Sequence, residues 1–269
     1  MEVDRGLVKT SYGYVHYRAA GAGPPVILLH INQQSSALFL ELMAVLAGAF
    51  RVTAIDYPSC GMSDHFTRPP AVADYVQSVI EVMDGLDIAK ANLLAEAGST
   101  AIAVEIANAV PDRIGRLVLV NSHYYTDRAA AASHHTELRG RLRPADSSGF
   151  PMTRTLEFVL EHDPGHMPMN PTQSWMDRIN VAQIEAGRDR WQFVEALAIH
   201  DYGAGLERLQ QPTLLIWGEN FHYSKFRDEF TRRIRNHQLM LIKDARFALT
   251  WERPEEIGRA AVGFFTSAD

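Results

Sequence analysis

The stretch Asn92-Leu93-Leu94-Ala95-Glu96-Ala97-Gly98-Ser99-Thr100 decides how this chain folds. Asn92 to Glu96 is an apolar run of strand length, and Ala97-Gly98-Ser99 is a cluster of small residues suited to a tight turn. Ala101 to Val110 then reads as an apolar helix, closed by Pro111. A strand that turns sharply into a helix places its apex residue at the carboxyl end of a sheet, where open α/β sheets bind ligands. The apex here is Ala97. A methyl group can neither attack a carbonyl nor carry a proton.

Outward from this turn, short β-branched runs alternate with amphipathic stretches, which predicts an α/β fold with a mostly parallel, doubly wound sheet. Strands are expected over Tyr12–Ala19, Val26–His30, Arg51–Tyr57, Asn92–Glu96, Leu117–Asn121, Leu214–Trp217 and Leu239–Ile242. Helices are expected over Ser35–Phe50, Ala71–Leu86 and Pro254–Phe265. Between Tyr125 and Leu206 the strand pattern stops and helical segments such as Thr153–Glu161, Gln173–Ala186 and Arg190–Ala198 take over, divided by Pro and Gly. The expected organisation is a core of residues 1–125 and 205–269 with a helical cap, residues 126–204, over the carboxyl ends of the strands.

Composition narrows the function classes. A net charge of −6 and no Lys/Arg cluster with interleaved aromatics argue against nucleic-acid and membrane-surface partners. The single cysteine, Cys60, excludes an internal disulfide framework and a cysteine metal cluster. No apolar run approaches the roughly 20 residues that cross a bilayer, and Met1-Glu2-Val3-Asp4-Arg5 lacks a signal-peptide pattern. A cytoplasmic location is the expectation, with a small molecule as partner, no cofactor and no metal.

Four further motifs, in this order, carry a resemblance. Leu28-Leu29-His30 precedes a loop, Asp56-Tyr57-Pro58-Ser59-Cys60-Gly61-Met62-Ser63 follows the D-x-x-G-x-G-x-S pattern with Ser59 at its first glycine, Pro212 to Glu219 leads a strand into Gly-Glu, and Glu252-Arg253-Pro254 starts a last helix. Together with the Ala95-Glu96-Ala97-Gly98-Ser99 turn, the chain resembles the α/β-hydrolase fold superfamily over nearly its whole length apart from the cap. The resemblance implies a nucleophile at position 97, an acid at 221 and a histidine at 247; the chain holds Ala97, Phe221 and Phe247 there. A Ser-His-Asp triad works through hydroxyl, imidazole and carboxylate in contact, and none of the three is present at these positions. The resemblance also implies an oxyanion hole from the amides of Gly98 and Asn32, with Ile31 at the usual glycine.

The side chains left to do chemistry are few. Glu96 ends a buried strand, where desolvation raises a carboxyl toward the range of a general base; the competing reading is a structural carboxylate satisfied by Arg246 or a histidine. His123 follows a core strand at its carboxyl end and could shuttle a proton, with Tyr124 or Tyr125 donating to a substrate oxygen. His30 has the same two readings, proton carrier or structural imidazole. His134-His135, His162-Asp163-Pro164-Gly165-His166 and His222-Tyr223 read as solvated or without spacing signal. Phe221 and Phe247, with Met167, Met169 and Trp175 of the cap, favour an apolar or aromatic ligand.

The sequence thus leads to a non-serine enzyme of this fold, performing acid–base chemistry of lyase, isomerase, cyclase or decarboxylase type on a small apolar carbonyl compound. The alternatives are a noncatalytic ligand-binding protein, or a serine hydrolase whose serine has been replaced by alanine.

Overall fold

The computed structural model describes residues 2–123, 133, 136, 139 and 145–267. Its centre is a sheet of eight strands: β1 (Asp4–Thr10), β2 (Gly13–Ala20), β3 (Pro25–Leu29), β4 (Arg51–Ile55), β5 (Ala91–Glu96), β6 (Ile114–Val120), β7 (Thr213–Gly218) and β8 (His237–Ile242). Their order across the sheet is β1-β2-β4-β3-β5-β6-β7-β8, with β1–β2 and β2–β4 antiparallel and the remaining pairs parallel. Parallel strands are covered on both faces, so they read as continuous apolar runs. Val26 to Leu29 and Leu117 to Val120 are accordingly all buried.

Helices α1 (Leu40–Leu46), α2 (Val72–Gly85) and α3 (Ser99–Ala109) precede β6 in the chain. The expected helix over Ser35–Phe50 is instead a 3-10 turn, Ser36–Phe39, followed by the short α1. Ser36 gives its backbone N–H to the buried Asp56 carboxylate, which fixes the tighter turn. Strand β1 lay outside the sequence expectations; it is an edge strand of mostly exposed residues and so carries little apolar signal.

Asp56 also organises the loop after β4. It accepts from Met62 N at 3.0 Å and from His16 Nδ1 at 2.8 Å. A Cβ on Gly61 would stand 2.2 Å from the Asp56 carboxylate, so only glycine fits. Ser59 has φ 64°, a left-handed conformation usually left to glycine. Its hydroxyl donates to Gln192 Oε1 at 2.9 Å and accepts from Phe66 N at 3.0 Å, so this serine bridges the core loop to a later helix.

Between β6 and β7 no strand occurs among the described residues. Helices α4 (Leu156–His162), α5 (Gln173–Ala186), α6 (Gln192–Ala198) and α7 (Tyr202–Arg208) occupy this part. Helix α8 (Arg227–Arg233) joins β7 to β8, and α9 (Leu249–Glu252) and α10 (Pro254–Thr266) close the chain. No helix among the described residues is long and apolar enough to cross a membrane.

Candidate active site

The turn after β5 has the geometry its composition predicts. Ala97 is fully buried with φ 57°, and its N–H donates to Val120 O at 2.9 Å, tying the apex to β6. A left-handed alanine costs about 1–2 kcal/mol, so surrounding contacts hold the kink. Thr100 Oγ1 donates to Ala97 O at 2.6 Å, and the buried Ser99 hydroxyl donates to His30 O. A Cβ built on Gly98 would meet Leu197 Cδ1 at 2.6 Å and Asn32 Oδ1 at 3.1 Å. The apex is therefore roofed by α6 and flanked by the loop after β3.

That loop brings polar groups with no structural partner. The backbone amides of Gly98 and Asn32 donate to nothing among the described residues. Asn32 Oδ1 is buried without a hydrogen bond there, as are both amide atoms of Gln33, a residue 1% exposed with φ 64°. Buried amides are normally paired, and a group of this kind beside an elbow is suited to hold a ligand's oxygen or hydroxyl.

The sequence places two aromatic residues where a triad would need acid and histidine, and the structure brings them together. Phe221 follows β7 and Phe247 follows β8; their rings are 6.2 Å apart and 21° from parallel. His123, at the end of β6, stacks on both, 5.8 Å from Phe221 and 6.3 Å from Phe247. Tyr223 lies 4.9 Å from the same imidazole. Tyr124, Tyr125 and the His134-His135 pair fall outside the described residues.

Glu96 and His30 are held by the structure. Glu96 is fully buried and accepts from Leu249 N at 2.7 Å, Thr250 N at 3.2 Å and Thr250 Oγ1 at 2.5 Å. Burial pushes this carboxyl up to about 7, against the pull of those donors and of Asn121. The partners are thus α9 amides and a threonine; Arg246 turns away, donating to Met167 O and Pro168 O, both at 2.9 Å. His30 Nδ1 donates to Ile31 O at 2.8 Å and Nε2 accepts from Tyr57 N at 3.3 Å, a neutral tautomer that burial favours by lowering the imidazole's affinity for a second proton.

Asn121 is a positioning residue that the sequence did not single out. Its Oδ1 accepts from Gly218 N at 2.9 Å and its Nδ2 donates to Arg246 O at 2.9 Å. Asn121 and Glu96 together clamp the two loops that carry Phe221 and Phe247.

The larger surprise is His166. Asp163 and His166 flank Pro164-Gly165 in a 3-10 turn, where residues three apart superpose. His166 Nδ1 donates to Asp163 Oδ1 at 2.6 Å, and the buried Asp163 also faces Arg154 Nη1 at 3.9 Å. The His166 ring lies 4.7 Å from His222 and 6.2 Å from Phe247. His222 is in turn 6.1 Å from His123. The His166 imidazole is thus oriented by Asp163 and only 12% exposed, where the sequence suggested a solvated loop histidine. Trp175, by contrast, is core: fully buried, 5.0 Å from Trp251. Among the described residues, no three His, Cys, Asp or Glu side chains are placed to hold a metal ion.

Fold and site together define the class. A family model described as "alpha/beta hydrolase fold" matches residues 24–254. The chain belongs to the α/β-hydrolase fold family. It is 24% identical over 272 residues to haloalkane dehalogenase 2 of Mycobacterium tuberculosis, covering 95% of this chain and 93% of that one. It is 26% identical over 271 residues to a 2-hydroxy-6-oxononadienedioate/2-hydroxy-6-oxononatrienedioate hydrolase of Cupriavidus pinatubonensis, covering 93% and 90%. Among solved structures, the enol-lactonase of Burkholderia xenovorans superposes with a TM-score of 0.77 at 20% identity, over 97% of this chain and all of that one.

Proposed function

We propose that the chain is an enzyme performing acid–base chemistry on a small, mostly apolar carbonyl compound, without a covalent enzyme intermediate. The observation that carries this reading is the Asp163–His166 pair set against Phe247. A carboxylate on Nδ1 fixes the imidazole's tautomer and leaves Nε2 to accept a proton, which is the orienting logic of a triad with the base moved into the cap. His123 is the second proton carrier. The amides of Gly98 and Asn32 hold the developing oxyanion, and the Asn32 side chain meets a substrate hydroxyl. Phe221, Phe247 and Leu197 supply the apolar walls. In this reading Glu96 and His30 support the loops and do not touch substrate. Residues 126–204 act as the cap, and the buried Cys60, whose thiol burial pushes up, suits a cytoplasmic setting.

A second reading keeps the same residues and replaces the substrate's proton with that of a water molecule. The relatives are named as a dehalogenase and a hydrolase, and a water activated by His166 could attack a carbonyl directly. The two readings share one test. Acetylacetone, cyclohexanone and a simple enol lactone are incubated with the protein in D₂O and followed by NMR. Accelerated deuteration next to the carbonyl supports proton abstraction, and lactone opening supports water attack. His166→Gln and His123→Gln should slow either by about 10²–10⁴-fold. Rates unchanged in both variants would remove these histidines from the mechanism. Binding of the probes with no reaction would make the chain a receptor.

A further inference from the structure

A cleft of about 280 Å³ that shares no lining residue with the elbow opens between β2, the turn after β3 and helix α5. Its walls are Arg18, Ser35, Ala37, Arg178, Val181 and the carboxylates Asp177 and Glu185. Its size is near the lower end of small-molecule sites, about 300 Å³.

Arg18 is the anomaly. It sits within β2, opposite Arg5 of β1 and Ala54 of β4, and is only 8% exposed. Its Nε and Nη1 are buried with no hydrogen-bond partner, and it forms no ion pair among the described residues. A buried guanidinium is normally paired, because its lost hydration must be replaced, and the facing Arg5 adds like-charge repulsion.

The nearby charges do not resolve this. Asp56 is taken by His16, Ser36 N and Met62 N. Arg178 is engaged with both oxygens of Glu41, at 2.8 Å each, and with Ala37 O at 2.9 Å. Burial and then Arg5 lower the proton affinity of Arg18, against a smaller opposing pull from Asp56 and Glu185, and Glu185 makes no ion pair with it. The cleft separates them.

We infer that this cleft binds a small monocarboxylate bearing a hydroxyl or ammonium group, with its carboxylate on Arg18 and Ser35 and its donor turned to Glu185. The charge count selects the class. One unmatched cation shares the cleft with the carboxylates of Asp177 and Glu185, which stand about two turns apart on α5, so a phosphate dianion would be repelled where a hydroxy or amino acid is complementary. Ala37 and Val181 leave room for a short apolar substituent.

The test uses L-lactate, glycine and inorganic phosphate as probes, with calorimetry and thermal melting of the full chain. L-lactate or glycine should bind with a Kd of about 1 mM or tighter and raise Tm, while phosphate binds more weakly. Arg18→Met should fold with an unchanged or higher Tm, since an unmatched buried cation is removed, and should bind at least about tenfold more weakly. Val181→Trp, which fills the cleft and leaves Arg18 in place, should also lose binding. The inference is overturned if neither acid binds, if phosphate binds best, or if affinity survives in either variant. A lowered Tm in Arg18→Met together with no binding to the unaltered chain would assign Arg18 a purely structural role.

Discussion

Phe221 and Phe247 stack within 6.2 Å, in the two loops where a hydrolase of this fold would pair acid with histidine. The fold keeps the two positions adjacent even though no proton passes between them. Ala97→Ser with Phe221→Asp and Phe247→His should therefore assemble a working triad, seen as a burst and slow turnover of p-nitrophenyl acetate. Ala97→Ser alone should show neither, for lack of a base beside the new hydroxyl. Fast turnover by the single variant would mean that His123 or His166 reaches position 97.

A fluorophosphonate probe should leave the protein unlabelled. Ala97 offers no hydroxyl, and the neighbouring Ser99 is fully buried with its hydroxyl donated to His30 O. Mass spectrometry of the elbow peptide is the check, and stoichiometric adduct on Ser99 would refute the geometry.

Glu96 should leave a signature in the pH dependence of stability. Its carboxyl is lifted by burial from 4.5 to about 7. Between those values the folded chain holds a proton that the unfolded chain has released. Stability from this group is therefore full below about pH 4.5 and is lost as pH rises to 7, by on the order of 3 kcal/mol. In Glu96→Gln this slope should vanish from urea midpoints measured between pH 4.5 and 7.5. At pH 4.5 the variant should be less stable by about 1–3 kcal/mol, because one of the amides at Leu249 and Thr250 then faces a donor, and this deficit should close by pH 7.5 as the unaltered chain loses its own stability. A slope equal to that of the unaltered chain would mean the carboxyl titrates at its ordinary value.

Asn121→Ala should cost about 2–4 kcal/mol. It strands Gly218 N and Arg246 O and puts alanine at φ 47°. A fall in Tm of roughly 2–4 °C per kcal/mol is the readout. Loss of ligand binding without loss of stability would instead give Asn121 a direct role at the site.

Much of the fold was legible because parallel strands announce themselves. β3, β5, β6 and β7 are apolar on both faces, and Gln173–Ala186 fell where its spacing placed it. The edge strand β1, with its exposed residues, gave no such pattern. Motif spacing also brought Phe221 and Phe247 into neighbouring loops, since strand ends fix where their loops begin. The place of His166 was not legible, because it comes from a contact with Phe247 that is 81 residues distant in sequence and is made by the path of the chain between β6 and β7. Glu96 was visible as a buried carboxyl, but its partners are backbone amides, which a sequence cannot display.

The kink at Ala97 carries a conformational cost that the rest of the turn must offset. A glycine at φ 57° would relieve the strain of a left-handed alanine, by about 1–2 kcal/mol. The strained turn leads straight into Gly98, where a Cβ would meet Leu197 Cδ1 at 2.6 Å and Asn32 Oδ1 at 3.1 Å. The backbone path through the apex is thus held by its neighbours, Val120 O on the Ala97 N–H and Thr100 Oγ1 on the Ala97 carbonyl, and owes nothing to the methyl group that stands there.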